Sequence, residues 1–226
     1  MPKYSIGWFI GLTACSLIFF ICYFIFSNIN YQRRFSDKYD IRNHFPYEYN
    51  FESKLKDNLF GNIALILSTV FSLGLFGLTL VYFKNNGYLL FVVIAGMLYS
   101  LIILFINFVP LKLLRFHMII SVLSFVIAFV TPCALGLTSF SNFQETKNPA
   151  SMALMIISIV IALFFFGLTM NPRLTLKIQM IVTTDDKGNE KYVRPKYIIL
   201  AFTEWMMSFG ILPCQILLVV LLLTLS

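Results

Sequence analysis

The sequence predicts an all-α integral membrane protein: a six-transmembrane-helix bundle with two long polar loops on one face, forming a single membrane domain over residues 1–226. Three observations predict it. Of the 226 residues 59% are hydrophobic and only 12% charged, about half the charge of an average soluble domain. A water-soluble fold would therefore lack the polar side chains to cover its surface. The uncharged stretches Tyr4–Gln32, Asn58–Phe83, Asn85–Leu111, Phe116–Gln144 and Asn148–Pro172 each exceed the about 20 apolar residues that cross a bilayer. A sixth, Tyr197–Ser226, is interrupted only by Glu204.

The first span, about 5–27, follows a lone Lys3, and its apolar run from Ile6 to Ser27 is longer than the core of a cleaved signal peptide. It reads as a signal-anchor helix. Polar loop 28–58 follows. Spans two (59–83) and three (88–109) must form an antiparallel hairpin, because Lys84-Asn85-Asn86-Gly87 leaves room for nothing else. A short link leads to span four (116–139), which carries Pro132, and a modest one to span five (150–170). In polar loop 171–196, Ile178–Val182 and Tyr192–Val193 flank Asp185-Asp186-Lys187-Gly188, a β-hairpin pattern outside the bilayer. Span six (197–225) carries Pro213. The two prolines can kink their helices, and Trp8 and Tyr197 suit the aromatic belts at the membrane surface.

Net charge is +7. In a soluble protein that excess would suggest nucleic acid. Here the basic residues flank apolar runs, where they set orientation and attract anionic headgroups, so no nucleic-acid partner is expected. Six spans put both termini on one side. Of the 17 Lys and Arg only Lys3, Lys84 and Lys147 lie on that side, and the rest fall on the odd-loop face made by loops one, three and five. The positive-inside rule then places the odd-loop face in the cytosol.

Cys15, Cys22, Cys133 and Cys214 all lie in apolar runs without paired spacing or a neighbouring His, so they read as small buried hydrophobes rather than metal ligands. The acidic residues of loop one are interleaved with basic ones, which suits a solvated mixed-charge loop better than a cation site. No metal and no cofactor is expected. The chain holds no GxSxG, HExxH, P-loop or GxGxxG motif, and a non-enzymatic protein is expected.

Four polar residues stand where apolar ones would be cheaper. Glu204, about two turns into span six, is by default a functional-site candidate; the alternative is a shallow carboxylate that meets water or a polar neighbour. His117 opens span four, Asn62 lies early in span two and Asn107 late in span three. All four fall in the leaflet beneath the odd-loop face. Together they predict a polar interhelical pocket for a lipid headgroup, capped by loop one at Phe45-Pro46-Tyr47, with Trp205 beside Glu204. Arg115, Arg173 and Lys177 would attract its phosphate.

These residues resemble the DRAM (damage-regulated autophagy modulator) family of six-span proteins and its Sfk and FGF-receptor-activating relatives. Phe45-Pro46-Tyr47 is similar to the family's Pro-Tyr segment after span one. Lys56-Asp57-Asn58-Leu59-Phe60-Gly61 is similar to the charged residue and Leu-Phe-Gly that open span two. Asn107-Phe108 followed by His117 resembles the Asn-Phe…His signature, and Glu204-Trp205-Met206-Met207-Ser208-Phe209 the Glu-Trp-x-Met-Ser-Phe of the last span. The likeness runs from Trp8 to about Leu223. It departs where Glu48-Tyr49-Asn50-Phe51-Glu52 replaces an Ile-Ser-Asp-Thr-Gly-like stretch, and no long cytosolic tail follows Ser226.

The resemblance implies a non-enzymatic regulator of lysosomal, endomembrane or plasma membranes, touching autophagy or lipid organisation. Its partners would be membrane lipids, such as an anionic phospholipid or phosphoinositide, or another membrane protein. It also implies cytosolic termini, the reverse of the orientation read from basic residues. The alternatives are a lipid-remodelling protein of the GPI-anchor maturation type and a small-molecule or lipid transporter.

Overall fold

A computed structural model describes residues 5–35, 38–50, 55–83, 86–109, 113–174, 181–184 and 190–225. Six helices are each long and apolar enough to cross a membrane: α1 Ser5–Phe35, α2 Leu59–Phe83, α3 Gly87–Phe108, α4 Leu114–Thr146, α5 Pro149–Thr169 and α6 Ile199–Thr224. The chain is thus an all-α multi-pass membrane protein.

Two helices outrun their apolar stretches. α1 continues past residue 27 to Phe35, because helix length is set by backbone hydrogen bonds and not by hydropathy. Arg33 and Arg34 in its last turn complement the helix dipole. α4 continues past residue 139 to Thr146, where Asn142 donates to Ser151 (2.8 Å) and Thr224 (3.1 Å). It stops at Lys147, in the left-handed region at φ 55°. Asn148 then caps α5 by accepting from the Ala150 N–H, with Pro149 in the first turn.

Sequential helices pack in turn, α1 on α2, α2 on α3, α3 on α4 and α4 on α5, while α6 touches α1, α3, α4 and α5. α6 therefore occupies the centre: 61% of its span is buried, against 22% for the peripheral α5. Close approach is set by glycines. A Cβ on Gly96 would overlap the buried Phe76 ring, and one on Gly210 would overlap Tyr99 and Phe165. Pro132 and Pro213 lie within α4 and α6. Trp8 and Tyr197 are exposed, and of the cysteines only Cys214 is fully buried.

The hairpin expected in the last loop forms as β1 (Ile181–Thr184) and β2 (Glu190–Val193), antiparallel with Ile181 opposite Val193. Its expected turn and Lys177 lie outside the described residues. Loop one folds back over the bundle through two 3-10 segments, Pro46–Asn50 and Leu55–Asn58.

Candidate functional site: a sealed His–Glu cluster under loop one

α6 carries Glu204 and Trp205 in its second turn, and α4 carries His117 in its first. Glu204 and His117 are both fully buried, with the imidazole Nε2 3.2 Å from the carboxylate Oε1. Ser121, one turn below His117 on the same face of α4, donates to that oxygen at 2.7 Å and lies 3.0 Å from the His117 carbonyl. On the other side of the ring Nδ1 lies 2.8 Å from the Val109 carbonyl. A carbonyl can only accept, so Nδ1 carries a proton. For Nε2 and Oε1 to hydrogen-bond, one of them must carry a further proton, and the pair would then have no net charge, a condition that makes an ionisable pair tolerable at membrane depth. The second carboxylate oxygen, Oε2, has no partner among the described residues.

Loop one closes the site from above. The Tyr47 ring stands edge-on to His117 at 5.1 Å and Phe45 at 6.5 Å, and Phe45, Pro46 and Tyr47 are all buried. Burial, then the neighbouring carboxylates of Glu48 and Glu204, push the Tyr47 phenol far above its ordinary value, so it stays a neutral hydroxyl. Trp205 is fully buried and its indole N–H is shared between the Tyr39 hydroxyl (3.0 Å) and the His44 carbonyl (2.9 Å). Tyr39 in turn donates to the Phe45 carbonyl at 2.6 Å and stacks on Tyr49 at 4.1 Å.

Three further anchors hold the loop. Arg194 makes a two-pronged ion pair with Glu48 (2.7 and 3.0 Å), Arg34 donates to the Tyr49 carbonyl, and the Ile198 N–H donates to the Arg42 carbonyl. Burial alone would lower the Arg194 guanidinium, but the Glu48 hydrogen bonds and charge outweigh it and hold it above its usual value. A bidentate pair of this kind adds geometry as well as energy.

The four polar residues divide into two groups. Glu204 and His117 touch. Asn107 instead accepts a short hydrogen bond from the buried Tyr23 hydroxyl and donates to the Ile103 carbonyl. Asn62 accepts from Asn58, which also bonds Ser27, Asn50 and Asn30. Asn50 of loop one links the asparagines by donating to the Asn107 carbonyl at 3.2 Å. Arg115 and Arg173 are exposed at the ends of α4 and α5, on the rim of the same face and outside the cluster.

Sequence reasoning missed three features. Ser121 was legible from its i+4 spacing to His117. Glu48 and Arg194 lie 146 positions apart, and nothing local pairs them. Gln215 sits buried in mid-span, donating to Ser72 at 2.7 Å, with Ser72 bonded to Ser100 and Ser68 to Ser16. Its amide oxygen has no partner among the described residues.

Compared with known proteins, the chain matches no family model, no curated protein and no solved structure. The DRAM-family likeness therefore rests on the motif residues alone.

Proposed function

We infer that the chain is a non-enzymatic multispan regulator similar to DRAM and Sfk proteins, which recognises anionic lipid headgroups, or a membrane partner, on its odd-loop face. It would act in lysosomal, endomembrane or plasma membranes. The observation that carries this reading is the folding of loop one into an aromatic plug seated on the His117–Glu204 pair, with exposed Arg115 and Arg173 at helix ends on the same face. Asn62, Asn107, His117 and Glu204 each bond neighbouring protein groups. Their role is to position the loop, and phosphate recognition falls to the exposed arginines.

Chemistry at the cluster is disfavoured by its wiring. Ser121 donates to Glu204, not to the imidazole, and both ring nitrogens are occupied. The base that faces the hydroxyl is Glu204, which also holds His117, and all three side chains are buried, so a substrate would have to displace loop one to reach them.

The test is Glu204→Gln in purified protein. It should loosen loop one, read as faster amide exchange over residues 39–50, and lower the anionic phospholipid that copurifies, with helical content intact. Unchanged exchange together with unchanged lipid would count against the reading. Transport is the second reading, favoured by the polar mid-span residues Ser16, Ser68, Ser72, Ser100 and Gln215. It requires Gln215→Leu to abolish a solute flux measured in proteoliposomes.

A further inference from the structure

We propose that a cavity in the middle of the bundle binds one dehydrated alkali cation, held by neutral side-chain oxygens. The cavity has a volume of about 10 Å³, room for a single water-sized particle. It lies between α2, α3 and α6, with Phe20 of α1 on its wall. Five lining side chains carry an oxygen: Ser68, Thr69, Ser72, Ser100 and Gln215. The others are apolar, and every lining residue is buried. The inference rests on neither functional reading above: the cavity shares no residue with loop one, and an ion can bind there without crossing.

The hydrogen bonds leave this wall rich in acceptors. A hydroxyl has one proton and two lone pairs. The Ser100 proton goes to the Gly96 carbonyl at 2.8 Å, so it is Ser72 that donates to Ser100 at 2.6 Å. Ser68 donates to the Ser16 carbonyl at 2.9 Å and Thr69 to the Leu65 carbonyl at 3.0 Å. All four hydroxyl protons are thus committed, and lone pairs remain. The Gln215 amide donates to Ser72 at 2.7 Å, while its oxygen, fully buried, has no partner among the described residues. An unpaired amide oxygen is most costly in the apolar middle of a bilayer. That orphaned oxygen separates the cavity from an ordinary row of small residues.

Such a wall suits a cation better than a water. A water could donate twice here, but of the lining side chains only Gln215, through its second amide hydrogen, is left to donate to the water's own lone pairs. A cation asks only for oxygen lone pairs, and neutral oxygens can replace its hydration shell, as backbone carbonyls do in channel filters. A single positive charge is the most the site can carry, because no carboxylate lines it and charge at membrane depth is costly. Space for one particle admits sodium or potassium and excludes an organic ammonium such as choline.

The experiment uses the full purified chain in detergent micelles at constant ionic strength, with choline chloride replaced stepwise by sodium or potassium chloride. The unfolding midpoint is read at each step. At least one alkali chloride should raise it, with saturation, by about 5 °C or more at about a hundred-fold excess over the dissociation constant. The salt that acts at the lower concentration identifies the preferred ion. Thr69→Val should raise the half-maximal concentration about ten-fold, the worth of one oxygen bonded to a charge, and Gln215→Leu should abolish the response. Each variant is compared with itself in choline chloride, and Thr69 bonds within its own helix, so its loss leaves the bundle able to fold. No lipid is counted, so failure here is distinct from failure of the loop-one reading. Equal midpoints in all three salts, or an undiminished response in either variant, would overturn the proposal.

Discussion

His117→Leu removes one half of a pair in which neither side chain touches solvent. It leaves the Glu204 carboxylate with Ser121 as its one remaining partner among the described residues and strips the Val109 carbonyl of its His117 donor. Two magnitudes compete. Side-chain hydrogen bonds between membrane helices average only about 0.6 kcal/mol. Removing one member of a buried pair costs about 3–5 kcal/mol. The larger figure should win, because the site is buried under loop one and, among the described residues, none besides Ser121 is placed to rescue the carboxylate. The expected loss is about 3 kcal/mol, at the lower end of that range because Ser121 remains.

The double variant H117L/E204L, which removes both polar groups, should return to within about 1 kcal/mol of wild type. The coupling in the cycle should then be at least about 2 kcal/mol. Unfolding followed by circular dichroism in bicelles titrated with dodecyl sulfate measures all four proteins. A loss below about 1 kcal/mol for His117→Leu, or simple additivity in the double variant, would refute the reasoning.

Other outcomes follow from the same contacts. Trp205→Phe keeps the ring stacking but deletes the N–H shared by Tyr39 and His44. It should cost about 1–2 kcal/mol and expose loop one to protease, and an unchanged cleavage rate would contradict it. Arg194→Lys keeps the charge but loses the fork on Glu48, so loop-one amides should exchange faster than in wild type; equal rates would contradict the bidentate assignment. Gly96→Ala drives a methyl into Phe76 and should destabilise by about 1–3 kcal/mol, read by the same unfolding titration. The Arg42 side-chain hydrogen bonds hold the Asp40 carboxyl below its usual range. A lowered folded-state value gives stability that is present above the unfolded value and lost as pH falls through the folded one. The Asp40–His44 turn should thus keep its amide protection from neutrality down to about pH 4, and loss of protection from the Asp40 carboxylate between pH 7 and 5 would contradict it.

The architecture was legible because its cause is compositional: uncharged runs longer than the bilayer core leave few alternatives to helices. The ends were less so. Tyr31-Gln32-Arg33-Arg34 and Gln144-Glu145 are polar yet helical, since a helix can protrude into water and end only where a backbone stop such as Lys147-Asn148-Pro149 arrives. The meeting of Glu204 with His117 followed from topology, as both start spans on one face. Which asparagine went where did not, because that depends on helix rotation, and rotation is set by contacts such as Gly96 on Phe76 that no periodicity reveals. The seal itself was hidden too. It needs Glu48 to find Arg194 and Trp205 to find His44, pairings created only when loop one meets loop five and the start of α6.

The central claim is that the plugged, basic-rimmed face recognises anionic lipid. The most direct test is to count lipid bound to wild type and to the double variant R115Q/R173Q in nanodiscs made with and without phosphatidylinositol phosphate. The account predicts that wild type retains the phosphoinositide and the double variant loses most of it, at an unchanged unfolding midpoint. Equal retention by both proteins, or none by wild type, would contradict it.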